Sequence, residues 1–320
     1  MIGDRLTRES FVALGTSCSL AVTVSRANSG HARRALAAGR AELDRCENAL
    51  SRFHAQSDLS RLNAGAGSWV RVDQRLLRAL VAAIRLRAET NGRFDPTILP
   101  ALAAAGYDRS FEQLRTRPPS MPPPKCTGAA IDVDLVGGQA RIAGHAAIDL
   151  GAIGKGFTAE RVVWAMREQW PRLPGAVVDL GGDVVVWGVP PGDGRWRIAV
   201  ADPREPDSIL EWLELEQGAV ATSGRDTRRF GPDRTLHHLI DPTTRAPALD
   251  GPLAVTVVAD AATDAEAYAT AIAVSDVDLA PDILAARSSL SAIVVSTTGA
   301  TSVIGPLPVS TKRVPTEVLP

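Results

Sequence analysis

Between Thr116 and Thr127 the chain carries Pro118, Pro119, Pro122, Pro123 and Pro124, and no other stretch limits its folding so firmly. Proline fixes φ at about −65° and lacks a backbone donor, so such a run continues neither a helix nor a central strand. It reads as an exposed connector between a first part, residues 1–115, and a last part, residues 128–320.

The pattern changes across that connector. Residues 10–26 are rich in Val, Leu, Thr and Ser, which suits one or two strands broken near Gly15. Ala32, Leu36, Gly39, Leu43, Cys46 and Leu50 then recur at spacings of three and four, with Arg and Glu on the other face. Cys46 on that stripe reads as a small buried apolar residue. A second helix starts from Asp73 as N-cap and turns Leu77, Leu80, Val81 and Ile84 inward. Beyond the prolines come strand-like runs at Ala130–Val133, Ala176–Leu180, Val184–Trp187, Trp196–Val200, Ala254–Ala259 and Ala292–Ser296. Helices at Gly156–Gln169 and Thr263–Val274 interrupt them. The fold class is therefore α+β, helix-rich before the connector and sheet-rich after it.

Composition narrows the function. The 320 residues are 45% hydrophobic, and 35 basic residues balance 36 acidic ones to a net charge of −1. That excludes a disordered or collagen-like chain, and it removes the electrostatic case for nucleic acid or an anionic membrane as partner. Cys18, Cys46 and Cys126 are widely spaced and odd in number, with no CxxC and no Cys–His cluster, so neither a zinc site nor a disulfide framework is indicated. The start, MIGDRLTRESF, shows neither a signal-peptide core nor a lipobox. No apolar run approaches the ~18 residues that span a bilayer, so the expectation is a soluble, cytoplasmic protein.

The densest chemical signal is Asp149-Leu150-Gly151-Ala152-Ile153-Gly154-Lys155-Gly156, running into a helix. Glycines let backbone amides approach an anion, and the helix start and Lys155 add positive charge. It is not a P-loop: Asp149 stands where the first glycine belongs, and Gly156 where Ser or Thr belongs. Leu180-Gly181-Gly182-Asp183 is a hairpin turn. Thr222-Ser223-Gly224 offers hydroxyls, and His237-His238-Leu239-Ile240-Asp241-Pro242 puts imidazoles at a strand end. Asp264, Glu266 and Thr270 share one helix. Glu266 and Thr270, four apart, can offer oxygens to a hard cation, although alone they read as a solvated acidic face.

Their order carries more than any one of them. Gly-Thr, Ser-Arg-Phe with Ser-Asp-Leu-Ser-Arg-Leu-Asn, Asn-Gly-Arg-Phe-Asp-Pro-Thr, Asp-Leu-Gly-x-x-x-Lys-Gly, Leu-Gly-Gly-Asp, Ala-Thr-Ser-Gly, His-x-Ile-Asp-Pro and Ala-Glu-Ala-x-Ala-Thr follow one another over residues 14–273. This succession resembles the ApbE family of magnesium-dependent FAD:protein FMN transferases. The resemblance implies a T-fold-related mixed architecture around a central FAD cleft. It implies that Leu14, Gly15, Thr16, Phe53, Arg93, Phe94, Asp95, Asp149, Lys155, Ser223 and His238 contact FAD. Mg²⁺ or Mn²⁺ would be held by the Ala152 carbonyl, Glu266 and Thr270, with Lys155 and His238 as the catalytic pair. The partner would be an acceptor flavoprotein with a Thr or Ser in a flavinylation motif.

The sequence departs from the family pattern at Glu266, where Asp is usual, and at Arg245, where Asp-Pro-x-Thr-Gly has glycine. A hydrolase giving FMN and AMP, and an FAD-binding protein without turnover, remain as alternatives. Thr298-Gly299-Ala300-Thr301 echoes the family's acceptor motif, but Val295 stands at the motif's Asp, so the segment reads as a hairpin turn.

Overall fold

The computed structural model describes residues 5–25, 28–109, 128–192, 194–205, 207–225, 229–230 and 236–309. The proline segment lies outside the described residues. In the first part, strands β1 (Arg5–Ala13) and β2 (Thr16–Val24) precede helices α1 (Ser29–Leu50) and α2 (Asp58–Ala64). Strand β3 (Val70–Arg71) and helices α3 (Gln74–Glu89) and α4 (Leu99–Ala104) follow. The last part opens with β4 (Ile131–Asp134), β5 (Gln139–Ile142) and α5 (Gly154–Gln169). Next come β6 (Gly175–Leu180), β7 (Asp183–Gly188), β8 (Trp196–Ala201), β9 (Ile209–Leu215) and β10 (Gly218–Gly224). The short strands β11 (Arg229–Phe230), β12 (Leu236–His237), β13 (Ile240–Asp241) and β14 (Ala246–Pro247) lead to β15 (Ala254–Ala259). Helices α6 (Ala262–Ala273) and α7 (Ala280–Ala285) and the hairpin β16 (Ser291–Val295) and β17 (Thr301–Ile304) finish the chain.

One antiparallel sheet of eight strands, ordered β1-β2-β6-β7-β10-β15-β16-β17, takes strands from both sides of the proline segment. Successive side chains in a strand point to opposite faces. Thus Val185 packs with α1 and α5 residues, whereas Val186 packs with Trp196 and Leu213 of the β8–β9 hairpin. Strand β15 is covered on both faces, and all six of its residues are buried. Gly39 of α1 lets α5 come close, since a Cβ there would lie 2.7 Å from Met166 Cε.

The strand-like runs and both later helices fall where the sequence places them, to within about two residues. Asp73 caps α3 by accepting from the Arg75 N–H at 2.7 Å, and Cys46 is fully buried. Three readings need correction. Val81 is 43% exposed, because the inward face of α3 runs through Leu76, Leu77, Leu80 and Ala83. Glu42 of α1 is buried, drawn in by Arg45, Arg75 and Arg161. Helix α6 is no solvated acidic face: Asp264 and Glu266 are both buried. The β10 strand, the short helices α2, α4 and α7, and β9 are absent from the sequence reading.

Candidate active site

The large sheet gathers separate motifs at one end. Strand β2 starts where β6 stops, with Cys18 opposite Leu180, and β7 starts beside them. Two hairpin turns therefore lie side by side. Leu14 and Gly15 have φ of 54° and 65°, and Gly181 and Gly182 have φ of 72° and 92°. Two left-handed residues in a row match the right-handed twist of the flanking strands. A Cβ on Gly181 would lie 2.5 Å from Thr16 Oγ1, so the two turns touch. The end of β10, Thr222-Ser223-Gly224, runs past the start of β7 at the same end of the sheet.

The glycine-rich loop is pinned above that end by two other motifs. The Asn63 carboxamide exchanges two hydrogen bonds with the Ile148 backbone, accepting at 2.7 Å and donating at 2.9 Å. The Asp149 N–H donates to the Pro96 carbonyl at 2.8 Å. Pro96 is itself placed by Asn91 and Gly92, whose φ values of 50° and 76° end α3 and turn the chain. Asp95 then accepts from Thr97 N–H and Oγ1 and, through its other oxygen, from Gly128 N–H.

The Asp149 carboxylate accepts from the Gly151 N–H at 2.7 Å and pairs with Arg52 Nε at 2.5 Å. The Arg52 guanidinium lies 4.1 Å from the Phe53 ring centroid and 4.8 Å from that of Tyr107. Phe53 is 44% exposed, leaving a planar surface free at the cleft. Deeper in, Lys155 contacts the buried carboxylate of Asp183, and its Nζ lies 3.3 Å from Glu266 Oε1. The Ser223 and Thr270 hydroxyls are 3.2 Å apart. His237 and His238 diverge: His237 is buried with Nε2 against the Ala248 carbonyl at 2.9 Å, while His238 reaches the cleft beside Tyr107.

These groups line two adjoining hollows of about 350 and about 260 Å³ that share Gly15, Arg52, Phe53, Asp149 and Lys155. All fourteen residues that the resemblance assigns to FAD, metal or catalysis are on that lining: Leu14, Gly15, Thr16, Phe53, Arg93, Phe94, Asp95, Asp149, Ala152, Lys155, Ser223, His238, Glu266 and Thr270. His237 and Asp264 are not. The Glu266 carboxylate, beside the Lys155 ammonium, and the Ser223 and Thr270 hydroxyls line the same hollow as Ala152, and oxygens of this kind are the ligands a hard dication takes. Arg52, Tyr107 and Asp183 escaped notice. Arg52 and Asp183 sat inside quoted motifs, but a charge shows its partner only once the chain is folded.

The sequence model of the ApbE family matches residues 14–294. The chain belongs to the ApbE family. A protein of Treponema pallidum named FAD:protein FMN transferase is 31% identical over 290 residues, covering 81% of this chain and 76% of its own. One of the same name from Rhodobacter capsulatus is 31% identical over 240 residues, covering 72% of this chain and 45% of its own. The ApbE protein of Thermotoga maritima superposes with a TM-score of 0.80 at 28% identity, over 94% of this chain and 97% of that one. The flavinyl transferase ApbE of Pseudomonas stutzeri, at 23% identity and a TM-score of 0.79, shares the fold over 95% of this chain and 97% of its own. The mixed helix-and-sheet architecture expected from the motifs is thus that of ApbE structures. Among the described residues no helix is long and apolar enough to cross a membrane.

Arg245, which stands where the family motif has glycine, takes a left-handed backbone. Its φ is 60°, and its N–H donates to the Asp241 carbonyl at 2.7 Å to close the β13–β14 turn. The turn needs a left-handed residue whatever side chain stands there.

Proposed function

We propose that this chain, a flavin transferase by family, moves the FMN half of FAD onto a Thr or Ser hydroxyl of an acceptor flavoprotein and releases AMP. The observation that carries this reading is the meeting of Lys155 and Glu266 in one cleft. A cationic group at a helix start suits the pyrophosphate, and a carboxylate among hydroxyls suits a divalent cation.

Mg²⁺ would be held by Glu266, Thr270 and the Ala152 carbonyl, where it supplies charge neutralisation and orientation for the pyrophosphate. The chain's own groups do the rest. Lys155, at the positive end of the α5 dipole, brings the phosphates a full charge that matters most as the P–O bond breaks. The exposed Phe53 face, backed by Arg52 and Tyr107, receives a planar ring of the dinucleotide by stacking. His238, at the cleft wall, takes the proton of the acceptor hydroxyl. That oxygen forms a bond to the FMN phosphorus, the pyrophosphate P–O bond breaks, and AMP leaves with the electron pair.

The test is AMP release measured with and without a candidate acceptor, combined with mass spectrometry of the acceptor. Transfer predicts AMP that depends on acceptor, an FMN mass increment on Thr or Ser, and loss of both with a chelator. AMP without acceptor would instead make the protein an FAD pyrophosphatase. FAD binding with no AMP under either condition would leave a flavin-binding protein.

A further inference from the structure

Helices α5 and α6 both begin without a capping side chain of their own. Their N-cap residues are Ile153 and Ala261, which carry no side-chain acceptor. The first N–H groups of a helix have no partner within it, so a buried start must find acceptors elsewhere. Each of these helices borrows a glutamate from the other. Glu266 Oε2 of α6 accepts from the Gly156 N–H of α5 at 2.9 Å. Glu160 Oε1 of α5 accepts from the Thr263 N–H of α6 at 2.8 Å and from its hydroxyl at 2.9 Å.

The exchange depends on close approach. A Cβ on Gly156 would lie 2.4 Å from the Ala262 carbonyl oxygen, so only glycine lets the two helix starts meet. Glu160 follows Gly156 by four residues and Glu266 follows Ala262 by four, so each glutamate shares a helix face with its contact point. Asp264 could have capped α6 locally, but its carboxylate is taken by Arg85 and Arg287. The length of Glu266 also finds a use: one oxygen is held by the Gly156 N–H while the other faces Lys155.

We propose that Glu160 is a positioning residue for the divalent cation: by capping α6 from α5, it sets where α6 holds Glu266 and Thr270 relative to Ala152 and Lys155. This rests on the metal reading given above. Glu160 itself does not line the cleft hollows, so it acts through α6. A carboxylate at a helix start also meets the positive end of the helix dipole, which ties its charge to the orientation of α6.

Direct Mn²⁺ titration of the protein without nucleotide, by electron paramagnetic resonance, tests the proposal, with ADP, a pyrophosphate that carries no flavin, titrated separately. Glu160→Leu should weaken Mn²⁺ binding at least ten-fold, while ADP affinity measured in chelator changes less than three-fold. Glu160→Gln keeps an acceptor oxygen and should stay within three-fold of the parent for both ligands. Should Glu160→Leu fail to fold, Thr263→Val removes the hydroxyl bond alone; a Mn²⁺ loss of about three-fold, restored in Thr263→Ser, is then expected. Parent-like Mn²⁺ affinity in folded Glu160→Leu, or in Thr263→Val, overturns the proposal alone. No Mn²⁺ uptake by the parent overturns the metal reading and the proposal together.

Discussion

Glu42, buried on α1, and Glu160, half-buried on α5, are two carboxylates within one helical layer, and the protein settles them in opposite ways. Glu42 is surrounded by guanidinium groups: Arg75 donates at 2.9 and 2.7 Å, Arg161 at 3.0 Å and Arg45 at 3.0 Å. Burial alone would push its pKa up, but the arginine hydrogen bonds outweigh it and hold the carboxyl below its usual range. Glu160 accepts instead from the neutral Thr263 groups. There burial dominates and the carboxyl is pushed up, with the Asp264 charge adding to the rise. The first arrangement is an electrostatic lock joining α1, α3 and α5. The second leaves a carboxylate whose worth lies in where it holds the next helix.

Breaking the lock should give the largest effect on stability. Glu42→Ala leaves Arg75 and Arg161 without their shared partner, and a loss of about 3–5 kcal/mol is expected from urea unfolding. Flavin transfer per folded molecule should be unchanged. A loss below ~1 kcal/mol would show that the arginines find water and that the cluster is no lock.

Lys155, held between Asp183 and Glu266, tests whether an ion pair inside the cleft follows the same rule. Lys155→Ala should lower turnover by about 10²–10³-fold, equivalent to ~2.7–4 kcal/mol of transition-state stabilisation. Its unfolding midpoint should move less than that of Glu42→Ala. Full activity in a destabilised variant would make Lys155 structural.

The pH dependence of stability separates the two glutamates by sign. Glu42, with its folded pKa depressed, contributes stability that is present above the unfolded value and lost as pH falls through the folded one. Glu160, with its folded pKa raised, binds its proton more tightly when folded, so its contribution declines as pH rises from the unfolded value through the folded one. Unfolding free energies of the parent minus Glu42→Gln should therefore climb with pH below the ordinary glutamate range. Parent minus Glu160→Gln should fall with pH above it. Slopes of equal sign would erase the contrast.

The smallest effect concerns backbone strain rather than charge. Arg245→Gly removes a side chain from a left-handed residue, and a gain of about 0.5–1 kcal/mol is expected in thermal unfolding. A loss of stability would mean that the Arg245 side chain contributes more to the turn than its φ costs.

Local patterns made much of this legible in the sequence. The glycine pair at Gly181–Gly182, the break near Gly15, and α5 and α6 follow from turn chemistry and periodicity. The cleft lining was legible because several short motifs follow one another in order. What stayed hidden were relations between distant residues. Glu42 looked like a surface position on α1 because its three arginines come from α1, α3 and α5. Nothing local marks Asn63 as the partner of Ile148, or Glu160 as the cap of Thr263. Strand β10 ends in Ala-Thr-Ser-Gly, which reads as a turn until β7 and β15 supply its neighbours.

The pairing of β2 with β6 also sets a timetable for synthesis. Leu20 and Val22 lie opposite Val178 and Ala176, so their neighbour leaves the ribosome more than 150 residues after they do. At translation rates of about 5–20 residues per second, the β2 edge of the first hairpin waits roughly 10–30 s for its hydrogen-bonding partner. The cleft that the amino-terminal hairpin helps to frame is thus completed only after most of the chain has been made.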